Sequence, residues 1–179
     1  MTEGKQQGES ALLLVVPEVK DFVGPYRLKY DPGASIGIPA HITILFPFLP
    51  PEKIGEEELG HLSDLFNRRP SFKIRFEKTA RFADVLYLAP VPAEPIVALT
   101  KLVSVSYPDY PPYGGIHPKI TPHLTIASLS DNSLLQRLDE EVTQRAADEL
   151  PIESVLREIV LYEKHKGRWS PRHIFPFAN

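Results

Sequence analysis

His41-Ile42-Thr43-Ile44 returns later in the chain as His123-Leu124-Thr125-Ile126, and this repeated tetrapeptide decides how the rest is read. Each copy follows a proline, Pro39 or Pro122, and opens a short apolar run. In a strand, residues i and i+2 share a face. His41 therefore points with Thr43, and His123 with Thr125. Ile42, Ile44, Leu124 and Ile126 point the other way, into a core. Each copy offers an imidazole and a hydroxyl to one surface, with aliphatic anchoring behind. With six histidines in 179 residues, chance supplies only about 0.2 copies of His-x-Thr, so two copies in matching strand contexts carry information.

Working outward, residues 1–10 read as a flexible N-terminus and 11–179 as one bilobal domain. Residues 11–16 (Ala-Leu-Leu-Leu-Val-Val) form a buried strand. Residues 17–29 read as a helix with Val19, Phe22 and Val23 inward, interrupted at Gly24-Pro25. Residues 40–46 carry the first motif. Residues 52–67 have helical spacing, with Glu56, Glu57 and Glu58 early, where the helix dipole favours acids. Residues 71–78 alternate Phe72, Ile74 and Phe76 with Lys73, Arg75 and Glu77, the mark of a half-exposed strand. A strand at 85–88 is closed by Pro90 and Pro92, and a helix follows from 94 to about 105. A Pro-, Gly- and Tyr-rich loop at 108–118 delivers the second motif strand, 123–128. A helix at 134–149 stops at Pro151. Residues 155–162 read as one strand, followed by a hairpin turn at His165-Lys166-Gly167 and a partner strand at 168–177. Both motif strands are followed by helices. The pattern predicts an α+β fold of two similar halves with the motif strands facing across a cleft.

Composition narrows the function classes. A net charge of −3 argues against coating long duplex nucleic acid through bulk electrostatics, while leaving room for a nucleotide or an RNA end in a local basic pocket. No cysteine is present, so there is no disulfide and no thiolate chemistry. The apolar run at 12–16 is too short for a membrane span or a signal sequence. A soluble, cytoplasmic, monomeric protein is expected. The histidines lack metal-ligand spacing, so no metal is expected.

Two imidazoles on opposite sides of a phosphate can supply an acid and a base near neutral pH. Two hydroxyls beside them can donate to phosphoryl oxygens as charge builds. The paired motif therefore suits opening or forming a phosphodiester. Tyr113 and Phe82 are further candidates to stack a base, and Arg81 and Lys119 to contact phosphate. His117 is a weaker candidate for the cleft. His61, His165, His173 and Trp169 read as surface or packing residues.

At these residues the sequence resembles the 2H phosphoesterase superfamily, which includes the 2′-5′ RNA ligase-like proteins and cyclic phosphodiesterases. The likeness extends to Ile38-Pro39-Ala40, Phe46-Pro47-Phe48-Leu49, Val85-Leu86-Tyr87-Leu88-Ala89-Pro90, Tyr110-Pro111-Pro112-Tyr113-Gly114 and Pro122-His123-Leu124-Thr125-Ile126-Ala127. The resemblance implies a bilobal 2H phosphoesterase-like fold, two pseudo-symmetric halves whose antiparallel sheets line a central cleft, with helices outside. It implies catalytic roles for His41, His123, Thr43 and Thr125, and no metal or nucleotide cofactor for hydrolysis. It implies a nucleotide or RNA-end substrate with a cyclic or 2′-5′ phosphodiester. RNA 2′-5′ ligation is the same chemistry reversed, and a non-catalytic nucleotide- or RNA-binding module is the alternative from another class.

Overall fold

A computed structural model describes residues 9–117 and 119–178. Among them the chain forms β1 (Glu9–Val15), α1 (Lys20–Tyr30), α2 (Pro32–Ser35), β2 (His41–Leu45), α3 (Glu56–Phe66), β3 (Phe72–Arg81), β4 (Val85–Val91), α4 (Glu94–Ser106), β5 (Leu124–Ser128), α5 (Asn132–Glu149), β6 (Ile152–Leu156), β7 (Glu158–His165) and β8 (Arg168–Pro176). The expected flexible terminus falls largely on residues outside this description, but Glu9 and Ser10 already belong to β1.

The strands make two four-stranded antiparallel sheets, ordered β2-β1-β7-β8 and β5-β4-β3-β6. The motif strands β2 and β5 are edges, each paired with one neighbour, and they approach one another. A central strand buries both faces, which explains the unbroken apolar run of β1. Leu12 and Leu14 enter the main core, while Ala11 and Leu13 enter a second cluster with Val160, Tyr162 and Trp169. On β3, Ile74 and Phe76 are buried while Lys73, Arg75 and Glu77 are exposed, as alternation requires.

The lobes are not successive halves of the chain. The first sheet takes its strands from both ends of the sequence, and the second from the middle. The helices also cross over. α1 follows β1 of the first sheet yet packs on β5 of the second, and α4 follows β4 of the second yet packs on β2 of the first. Each motif strand is thus backed by a helix that the other lobe's strand leads into. The residues behind the histidines, Ile42, Ile44, Leu124 and Ile126, are at most 1% exposed.

Three expectations need correction. α1 runs through Gly24-Pro25 without a break. Pro25 has no N–H for the Asp21 carbonyl, and Arg145 of α5 substitutes for it: Nη2 donates to the Asp21 carbonyl (3.2 Å) and Nη1 to that of Phe22 (2.9 Å). The guanidinium also lies over the Phe22 ring, 4.9 Å from its centroid. Arg145→Met should lower unfolding free energy by about 1 kcal/mol through these lost hydrogen bonds, read as a lower urea midpoint at constant m-value. β4 continues through Pro90 to Val91. β5 pairs with it only as far as Leu88, and β3 has a register irregularity beyond Phe76, so the missing N–H of Pro90 costs little of the ladder. The strand expected at 155–162 is two strands in different sheets. β6 pairs with β3 and β7 with β1, so the chain changes lobe at Arg157. The hairpin turn between β7 and β8 is as expected, with Lys166 (φ 49°) and Gly167 (φ 78°) both left-handed, as a tight two-residue turn requires.

Candidate active site

On β2, His41 lies opposite Val15 and Thr43 opposite Leu13, so imidazole and hydroxyl share one face. On β5, Thr125 lies opposite Tyr87, and His123 immediately precedes the strand. The two histidines repeat one local geometry. His41 Nδ1 is 2.8 Å from the Pro39 carbonyl oxygen, and His123 Nδ1 is 2.8 Å from that of Thr121. A carbonyl can only accept, so in each ring Nδ1 carries the hydrogen. That leaves Nε2 of each neutral ring as the atom free to take or return a proton.

Burial pulls both imidazoles below the ordinary histidine value. His41 falls to about 4, chiefly through burial, with the Pro39 carbonyl opposing; the nearby Arg27 and His123 lower it further and Asp31 raises it. His123 is lowered by burial first, opposed by the Thr121 carbonyl, with His117 adding to the fall. Both are therefore neutral at neutral pH in the free protein. An anion between them favours protonation, which is what a general acid needs.

A cavity of about 650 Å³ opens where β2 meets the 82–85 turn and the loop leading into β5, lined by Thr43, Phe82, Tyr113, His117, Lys119 and His123 among others. His41 and Thr125 are not among its lining residues; they stand beside Thr43 and His123 on the same strand faces. Aromatic rings surround His123. Phe82 and Tyr87 meet it edge-on at 5.1 and 5.6 Å between centroids, and Tyr113 lies nearly parallel at 6.4 Å. Tyr113 also ties the lobes together: its N–H donates to the Phe46 carbonyl (2.6 Å) just after the first motif strand. Its phenol is raised above the ordinary tyrosine value by burial, opposed by a hydrogen bond from Thr43. Its φ of 53° is unusual for a side-chain-bearing residue. Gly114 and Gly115 follow with positive φ, so the loop turns left-handed there and delivers the ring into the cleft.

The other sequence candidates divide between the loops at the cavity and the strand face that packs on α5. Phe82, Tyr113, His117 and Lys119 reach the cavity. Arg81 does not. It pairs with Leu86, whose side chain enters the core, so its guanidinium turns to α5, bonding Asn132 Oδ1 (2.9 Å) and lying 3.7 Å from Asp139. Trp169 is 7% exposed in the second cluster, where its ring packs edge-on with that of Phe46. His61 and His165 are exposed, and His173 packs on Phe175. Among the described residues, no group of three or more His, Asp or Glu side chains is arranged to hold a metal ion, and no helix is long and apolar enough to cross a membrane. Sequence reading passed over Tyr87, which looked like one more residue of a buried strand. It also passed over Arg27 and Asp31, whose i,i+4 spacing on a helix was the available signal.

A family model described as the 2′-5′ RNA ligase superfamily matches residues 15–168. The chain belongs to the 2′-5′ RNA ligase superfamily. Solved structures with the same fold include Escherichia coli LigT complexed with 3′-AMP, at a TM-score of 0.59 and 18% identity, covering 96% of this chain and 99% of that one. LigT complexed with NADP+ matches at 0.57 and 18%, covering 98% and 100%. TT0787 of Thermus thermophilus matches at 0.58 and 18%, covering 94% and 97%. No curated protein sequence matches the chain. Superfamily membership places it among the phosphoesterases and RNA ligases of the 2H class, with two antiparallel sheets in a bilobal arrangement.

Proposed function

We propose that the protein is a metal-independent phosphoesterase that opens a cyclic or 2′-5′ phosphodiester of a nucleotide or RNA end. The observation that carries this reading is the pair of imidazoles, each with Nδ1–H committed to a backbone carbonyl and Nε2 left free. The 3′-AMP bound by LigT supports a nucleotide as the ligand class. In hydrolysis, one neutral Nε2 takes a proton from water as the water oxygen attacks phosphorus. The protonated partner gives its proton to the leaving ribose oxygen as the P–O bond breaks. Thr43 and Thr125 donate to the non-bridging oxygens, whose charge rises in the transition state. His41 and His123 exchange roles when the reaction runs backward, so ligation uses the same groups. Lys119 contributes positive charge, and Phe82 and Tyr113 offer ring faces to a base.

The test is a panel of 2′,3′-cyclic nucleotides, a 1″,2″-cyclic phosphate and 2′-5′ dinucleotides, assayed in EDTA across pH. Turnover of at least one, undiminished by EDTA and bell-shaped in pH, is expected because one imidazole must be neutral and the other protonated. A rise in melting temperature with these ligands but no product would overturn the enzyme in favour of a binding module.

A further inference from the structure

We infer that Arg27 and Asp31 are a positioning pair for His41, holding the peptide that anchors its ring; this rests on His41 being a proton-transfer residue as proposed above. Arg27 sits on the last turn of α1 and is 4% exposed, an unusual burial for a guanidinium. Its Nε donates to Asp31 Oδ2 at 2.9 Å, and its Nη2 to the Ile38 carbonyl at 3.2 Å. Asp31 Oδ1 accepts from the Gly33 N–H at 2.9 Å and caps α2. The two side chains thus clasp both ends of the segment between α1 and β2. The next carbonyl after Ile38 is that of Pro39, the acceptor of His41 Nδ1–H. A shift of the 38–39 peptide would swing this acceptor and, with it, the direction of Nε2.

An ordinary helical ion pair spaced i,i+4 would not need burial, nor a third partner across the loop. The arrangement is also one-sided. The Thr121 carbonyl that anchors His123 sits in an exposed stretch, and among the described residues no side chain hydrogen-bonds to the preceding Ile120 carbonyl, the counterpart of that of Ile38. The charged and titratable groups acting on His41 are Arg27 and Asp31 at the end of α1 and His123 from the opposing lobe. Arg27 disfavours protonation of His41 and Asp31 favours it, so the pair balances the ring's proton affinity while holding its anchor.

Three variants separate positioning from mere structural support: Arg27→Lys, Arg27→Met and Asp31→Asn. The imidazole C–H signals of His41 and His123 are titrated by NMR in the free proteins, and kcat and KM are measured on the substrate the panel identifies. Arg27→Met leaves the Asp31 carboxylate alone and should raise the His41 midpoint. Asp31→Asn leaves the guanidinium alone and should lower it. The His123 midpoint should stay in place in both. Arg27→Lys keeps the charge but not the fork, so the His41 midpoint should hold while kcat falls roughly ten- to a hundredfold at little change in KM. Shifts of His41 in the same direction in both charge variants, no shift in any folded variant, or full kcat in Arg27→Lys would overturn the inference. If Arg27→Met does not fold, Asp31→Asn and Arg27→Lys still decide it. Because the NMR titration needs no substrate, failure of the proposed reaction (wild type inert on every phosphodiester) registers separately from failure of the positioning role.

Discussion

His41→Ala and His123→Ala should each lower kcat/KM by about a hundred- to ten-thousandfold, the range set by loss of a positioned acid or base. Among the described residues, no other histidine is held by a backbone carbonyl as these two are. His117 approaches the cavity from the 112–117 loop, but it lies against Tyr113 in an exposed position, without the carbonyl anchor that orients the other two. Added imidazole should restore part of the lost activity, since each truncation leaves a ring-sized space beside a free carbonyl. Full activity in either variant would remove the two-histidine mechanism. The His41 variant carries a second, separable effect on acid stability. The folded ring titrates at about 4 against 6.5 for an ordinary histidine, so between those values the unfolded chain binds a proton that the folded one refuses. This group's contribution therefore falls as pH drops from 6.5 towards 4 and changes no further below that. His41→Ala should flatten this part of the stability-versus-pH curve, as followed by thermal melts across the window.

Gly37→Ala should be among the most damaging substitutions outside the two motifs, lowering unfolding free energy by about 2–4 kcal/mol through strain and overlap together. Gly37 has φ +104°, a region that side-chain-bearing residues rarely enter, and an added Cβ would stand 2.6 Å from the Trp169 carbonyl oxygen. That oxygen is backbone and cannot rotate aside. The neighbouring Trp169 N–H donates to the Ile36 carbonyl at 2.8 Å, so this segment is fastened to β8 where the overlap would occur. Relief would have to displace residues 36–39, which present the Pro39 carbonyl to His41. Activity should consequently fall with stability, chiefly in kcat. Gly60→Ala provides the contrast. Gly60 is exposed on α3, with nothing within 4 Å of an added Cβ. That change should raise stability by about 1 kcal/mol through helix propensity. Equal effects of the two substitutions in urea titrations would refute the role given to the 36–39 segment.

Much of the site was readable from residues because it depends on a local rule. Within one strand, alternation alone places His41 with Thr43 and His123 with Thr125, and sends Ile42, Ile44, Leu124 and Ile126 the other way. The same rule found β3, while an unbroken apolar run marked β1. It failed at 155–162, where the apolar pattern runs on across Arg157 but the chain leaves one sheet for the other. Periodicity reports a face and not which sheet owns it. At Pro25 the helix-breaking reading of proline failed, because the donors replacing its N–H come from Arg145, far along the chain.

Residue order is enough to specify two strands of matched chemistry, each with an imidazole and a hydroxyl on one face, and hence the class of reaction they suit. Long-range packing makes those strands facing edges, because α1 and α4 each leave one lobe to pack behind the other lobe's motif strand. Packing also selects which neighbours count. Lys119 reaches the cavity while Arg81 bonds to α5, and Arg27 reaches the peptide next to the His41 anchor. These outcomes depend on strand register and on loops returning over long sequence separations. A local pattern shows at most one piece of each, as the i,i+4 spacing does for Arg27 and Asp31, because the group that completes the contact lies on another element.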